Sequence, residues 1–161
     1  MIGQKMEDLM NNQINAELYS SYLYLSMSAW CSQETWNGFA HWMRVQAQEE
    51  LSHAMKLYDY LIERGGTVRL AAIEKPKDVW VNPLALFKEV YEHEKKVTGM
   101  INTMMAEAMN QKDYAAEVML HWFVSEQVEE EANSSEIVAK LEKIGDSTGG
   151  LFQLDHHLGK R

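Results

Sequence analysis

The chain has 161 residues, enough for one domain with a real core and too few for a second of ordinary size. Its 24 Asp and Glu against 15 Lys and Arg give a formal charge of -9, which works against binding a phosphate backbone and favours drawing cations into clefts rich in carboxylates. Nucleic acid is therefore not expected as a partner, and no apolar run approaches the roughly 18 residues that a membrane span requires.

From about 5 to 31, apolar residues recur at Met6, Leu9, Met10, Ile14, Leu18, Leu25 and Met27 with three- and four-residue steps, the period of a helix rather than a strand. The stretch Thr35 to Gly38 offers a short break with a cap, and a second helix is expected from about 36 to 64, stopped by Arg64-Gly65-Gly66. Residues 65 to 82 hold two glycines and a proline without helical period, a connection long enough to travel the length of a bundle. Asn82-Pro83 reads as a cap followed by proline in the first turn, opening a third helix to about 110. After a short turn a fourth helix fills about 113 to 144; Gly145 closes it and Ser147 caps a shorter fifth helix, 148 to 158. The expected fold is all-α: a four-helix bundle with a long crossover between the second and third helices and a short C-terminal fifth helix, in one domain over 1–161. At about 1.5 Å per residue the four long helices would each extend roughly 40 Å.

A polar residue flanked at three, four and seven positions by apolar ones shares the stripe that must face the core. Glu17 lies in phase with Met10, Ile14 and Tyr24. Glu50 and His53 lie in phase with Met43, Ala47, Ala54 and Leu57. Glu94 sits among Phe87, Val90, Tyr91, Val97 and Ile101, and Glu130 shares a stripe with Phe123, Glu126 and Ile137. Ionised carboxylates in an apolar interior cost several kcal/mol each unless protonated, paired or bound to metal. No matching Lys and Arg occupy these stripes, so cations from solution are the expected compensation. Glu50 and His53, three apart, can grip one ion. Mostly carboxylate ligands with one imidazole suit Fe, Mn or Zn, and the lack of thiolates argues against structural zinc. A lone glutamate on a helix is ordinarily solvated, and Glu131 in the run Glu129-Glu130-Glu131 is read that way. Four helices agreeing in residue type and stripe point instead to a cation site, with iron the expected ion because two such ions bridged by a shared carboxylate can hand two electrons to dioxygen. The 11 methionines are read as core filling, Cys31 as a small buried hydrophobe in a reducing compartment, and His156 and His157 as ordinary. The first twenty residues carry no basic start followed by an apolar block, so no secretory signal is read and the expected location is cytoplasmic.

The segments AELYSSYLY around Glu17, QAQEELSHAMKLYDYL around Glu50 and His53, YEHEKKV around Glu94 and WFVSEQVEEE around Glu130 together resemble bacterial non-haem ferritins, over essentially the whole chain. The resemblance implies Glu17, Glu50 and His53 as ligands of a first iron and Glu50, Glu94 and Glu130 as ligands of a second, with Glu50 bridging. It also places Gln127 beside the centre, Tyr24 as electron donor or hydrogen-bond partner, and a weaker third iron on Glu49, Glu126, Glu129 and Glu130. Haem-binding relatives carry a second Glu-x-x-His on the fourth helix, where this chain has Gln127-Val128-Glu129-Glu130, and a methionine where this chain has Leu51; no haem is expected. The smaller DNA-protecting cages hold iron between subunits and lack this inward pattern.

The same resemblance implies ferroxidase activity on Fe(II), with dioxygen or hydrogen peroxide as oxidant, and storage of Fe(III) as a hydrous oxide inside a homo-oligomeric shell of 24 subunits. Two readings stand beside it: a non-storage di-iron peroxidase or oxygenase of the same bundle group, and a structural helical assembly whose acidic stripe stays empty.

Overall fold

A computed structural model describes all 161 residues, and the periodic tracts become five helices with no strand: α1 (Gln4–Gln33), α2 (Asn37–Glu63), α3 (Pro83–Gln111), α4 (Tyr114–Ile144) and α5 (Thr148–Leu158). The stop after α2 is a Schellman turn: Gly65 takes φ +73, its N–H bonds the Ile62 carbonyl, and the Gly66 N–H reaches back to Leu61. Asn82 caps α3 by accepting from the Ala85 N–H at 2.8 Å, with Pro83 where a missing N–H costs nothing. Asp113 caps α4 through the Ala116 N–H, and Ser147 caps α5 through the Gly150 N–H.

One local expectation fails. The break before α2 has no side-chain cap: Thr35 adopts φ 64, and Trp36 stands at the cap position, packed on Phe39 and Phe152. Aromatic packing fixes this corner where a polar cap was expected. Leu25 is exposed, and the inward stripe of α1 runs through Leu23, Tyr24 and Met27.

Helix α1 packs against α2, α3 against α4, and α1 against α3, so two antiparallel hairpins face each other. The crossover runs alongside α1 in the same direction. Glu7 accepts from the Thr67 N–H and the Arg69 guanidinium, Asn15 donates to the carbonyls of Ala71 and Ala72, and Ser26 donates to the Lys77 carbonyl. Along α1 those anchors are separated by about 28 Å of helix rise, so the strap covers most of the bundle's length. Without a ladder of its own, its backbone is satisfied in part by these side chains.

The apolar interior divides into two clusters. One, around Leu23, Met27, Phe39, Met43, Phe87 and Leu141, lies toward the α5 end; the other, around Met6, Met10, Leu57, Leu61, Ile101 and Leu120, lies toward the far end. Buried polar residues Gln13, Glu17, Ser20, Gln46, Glu50, His53, Glu94, Gln127 and Glu130 form the layer between them. Helix α5 docks on the start of α2, where a Cβ at Gly38 would lie 1.7 Å from the Asp155 carbonyl oxygen, so only glycine fits. Asp155 Oδ1 also accepts from the Phe39 N–H at 2.8 Å.

Candidate metal centre

Each long helix contributes to the buried polar layer from the middle of its length. Glu17 comes from α1, Glu50 and His53 from α2, Glu94 from α3, and Gln127 and Glu130 from α4, all of them buried. One ligand atom from each of Glu17, Glu50 and His53 lies within 4.8 Å of the other two. Ligands about 2.1 Å from a common ion stand up to about 4.2 Å apart, so small side-chain rotations close the set. His53 Nδ1 is 3.5 Å from Glu50 Oε2, as their spacing of one helical turn dictates.

Two glutamines hold the carboxylates. Gln13 Nε2 donates to Glu17 Oε1 at 2.7 Å, and buried Glu17 Oε2 has no amide, hydroxyl or cationic partner, only the neighbouring Glu50 carboxyl, with which it shares a proton. Gln46 Nε2 donates to Glu130 Oε2 at 2.6 Å and to Glu50 Oε1 at 3.3 Å. Glu94 is held from both sides, accepting from the Tyr24 hydroxyl and, at 3.2 Å, from Gln127 Nε2, which also reaches Thr98 Oγ1. His93, adjacent to Glu94, meets Ser20 Oγ through Nε2 at 2.7 Å and stands edge-on to the Tyr24 ring. Burial pushes its pKa down to about 4, helped by the charge of Lys96.

No Lys or Arg enters the group of Glu17, Glu50 and Glu94, and their ionisation shows the strain. Burial, then the charge of Glu50, raises Glu17 well above the ordinary carboxylate range. Burial and the charge of Glu94 do the same to Glu50, and burial raises Glu94. Glu130 is pushed up to about 7 by burial and by Glu94. Acids so placed cannot all ionise together unless a cation joins them, so the chemistry of this donor set suits a positively charged ligand.

The structure thus brings Glu17, Glu50 and His53 together, with Glu94 and Glu130 near enough to act electrostatically and with Tyr24 and Gln127 on Glu94. It does not gather Glu49, Glu126, Glu129 and Glu130. Glu126 Oε2 stands 3.8 Å from His53 Nε2, Glu49 is paired with Arg161, and Glu129 is exposed. Sequence reasoning missed Gln13 and Gln46, although each precedes a candidate ligand by four residues and so shares its stripe. It also missed His93 and Arg161, the latter because its position depends on where α5 docks.

An all-α bundle with one carboxylate and imidazole cluster at its midpoint defines the class: a four-helix protein whose interior carries residues that could hold a metal ion. The model of the ferritin-like domain matches residues 7–144, and the chain belongs to the ferritin family. It is 44% identical over 161 residues to a bacterial non-heme ferritin of Bacteroides fragilis, covering 100% of both chains. It is 42% identical over 159 residues to a probable bacterial non-heme ferritin-like protein of Haemophilus influenzae, covering 99% of this chain and 96% of that one. Among solved structures, an open pore ferritin from the hyperthermophilic archaeon Archaeoglobus fulgidus superimposes with a TM-score of 0.99 at 50% identity, covering 100% of this chain and 99% of that one.

Proposed function

We propose that this chain, read as one ferritin-like domain, is an iron-storage subunit that oxidises Fe(II) inside its helix bundle. The observation that carries the reading is the buried cluster of Glu17, Glu50 and His53, whose ligand atoms lie within 4.8 Å of one another with no Lys or Arg to compensate the carboxylates. Glu17, Glu50 and His53 receive one Fe(II); Glu50, Glu94 and Glu130 receive the second, with Glu50 shared between them. As the cations arrive, protons held on the buried carboxyls leave, so binding strengthens with pH. Gln13 and Gln127 keep Glu17 and Glu94 oriented, and the Tyr24 hydroxyl holds the other side of Glu94.

The paired arrangement suits a two-electron step. Two Fe(II) give up one electron each, and dioxygen with two protons becomes hydrogen peroxide, or hydrogen peroxide with two protons becomes two waters. Hard carboxylate oxygens favour the more highly charged Fe(III), which drives the oxidation. Fe(III) then moves on to collect as a hydrous oxide in the interior of a homo-oligomeric shell of 24 subunits, where further acidic side chains concentrate cations. A third, weaker position on Glu49, Glu126, Glu129 and Glu130 lies on this route. The centre works without haem, and the shell resides in the cytoplasm, apart from nucleic acid and membranes; no helix is long and apolar enough to cross a membrane.

Aerobic addition of Fe(II) followed by size-exclusion chromatography with an iron assay tests the proposal. Iron far beyond the ligating capacity of the carboxylates should travel with a very large particle, and E50A/H53A should lose rapid oxidation. A few irons per subunit on a small oligomer would indicate a non-storage di-iron enzyme. Unchanged oxidation in E50A/H53A would remove the centre from the reaction.

A further inference from the structure

Beyond α5 the chain turns back along α2. Gly159 fits so tightly there that a Cβ would come within 3.1 Å of Gly38 Cα, and the Arg161 carbonyl oxygen lies 3.0 Å from His41 Nε2. This return carries the Arg161 guanidinium over the Trp42 ring, 4.8 Å from its centroid. From there it makes two bonds. Nη2 pairs with Glu49, and Nη1 donates to Gln46 Oε1 at 2.7 Å.

The second bond matters because Gln46 is fully buried. With its carbonyl oxygen committed to Arg161, its amide nitrogen must point the other way, and its two hydrogens serve Glu130 at 2.6 Å and Glu50 at 3.3 Å. One cation outside the buried centre therefore fixes an amide that binds both the shared ligand and a ligand of the second position. The same cation neutralises Glu49, one of the four acids assigned to the third position, and those four are not gathered around a common point.

We infer that Arg161 and Gln46 form a displaceable latch: the Arg161 guanidinium occupies the charge of the outer iron position, and a divalent cation binding at Glu49 must displace it. Displacement frees the Gln46 carbonyl, lets the amide turn, and releases Glu130 toward iron. Occupancy of the outer position is thereby coupled to completion of the second buried one. The inference rests on the proposed three-position reading and adds to it a regulator from this chain's own sequence. A planar guanidinium is suited to the role because it stacks on Trp42 while making two directed bonds, which an ammonium cannot reproduce.

The test uses the assembled, demetallated protein titrated calorimetrically with Zn(II), a divalent probe that undergoes no oxidation. The wild type should show tight sites and one weaker class. In R161A the weaker class should tighten by roughly two- to fivefold, the scale of a largely exposed ion pair removed as competitor, and R161K should fall between them. Circular dichroism and elution volume check that each variant is folded and assembled, and R161Q serves if R161A is not. Unchanged weaker-class affinity in folded R161A and R161Q would overturn the latch while leaving the third position standing. Weaker binding in both would overturn it by making Arg161 a support of the site. Absence of any weaker class in wild type and variants alike would overturn the three-position reading, and the latch with it.

Discussion

Replacing Glu130 by glutamine should make the metal-free protein more stable, and only above acidic pH. Its carboxyl is 6% exposed, faces the charge of Glu94, and is pushed from its ordinary 4.5 up to about 7. The folded state thus binds this proton more tightly than the unfolded chain does. Below about pH 4.5 both states are protonated and the group costs nothing; as pH rises the unfolded chain ionises first, and the folded state falls behind until the pH passes 7. A shift of about 2.5 units is worth on the order of 3 kcal/mol at pH 8 and under about 1 kcal/mol at pH 5. Glutamine removes the charge and can still accept from Gln46. Urea denaturation of chelator-treated E130Q and wild type, at one protein concentration, should show the variant's midpoint well above wild type at pH 8 and the two nearly together at pH 5. An equal shift at both pH values, or none at pH 8, would refute the view that this carboxylate is held at a cost in readiness for a cation.

Tyr24 donates to Glu94 and so lowers a pKa that burial raises; Y24F should let protons compete better, reducing Zn(II) affinity more at pH 6 than at pH 8 in calorimetry. G38A should destabilise the protein by roughly 1 to 3 kcal/mol or detach α5, because the added methyl meets the Asp155 backbone, which cannot move aside as a flexible side chain would. Denaturation midpoint and elution volume report the two consequences.

Much of this architecture is readable from the sequence because it rests on local rules. The Asn82-Pro83 cap and the Gly65-Gly66 stop depend on residues adjacent in the chain, and the carboxylates of four helices betray themselves by lying in apolar stripes. Leu25 shows the limit of such reading: a three- or four-residue step is satisfied by more than one neighbour, and the angle at which α1 meets α2 and α3 selects Leu23 and Tyr24 over it. The corner at Trp36 was missed because a distant partner, Phe152 of α5, makes aromatic packing available there. Gln13 and Gln46 carry a signal in their four-residue spacing from Glu17 and Glu50, but an amide in an apolar stripe raises no charge problem and so does not by itself mark a site. Arg161 carries none. Its contacts with Gln46, Glu49 and Trp42 exist only because Gly38 lets α5 dock close to α2.

The most direct test of the central claim is anomalous diffraction at the iron edge from crystals loaded anaerobically with Fe(II). Two peaks inside the bundle are expected, one among Glu17, Glu50 and His53 and one among Glu50, Glu94 and Glu130. Iron found only on exposed acids, with Glu17 and Glu50 still held by Gln13 and Gln46 and no density between them, would contradict the account.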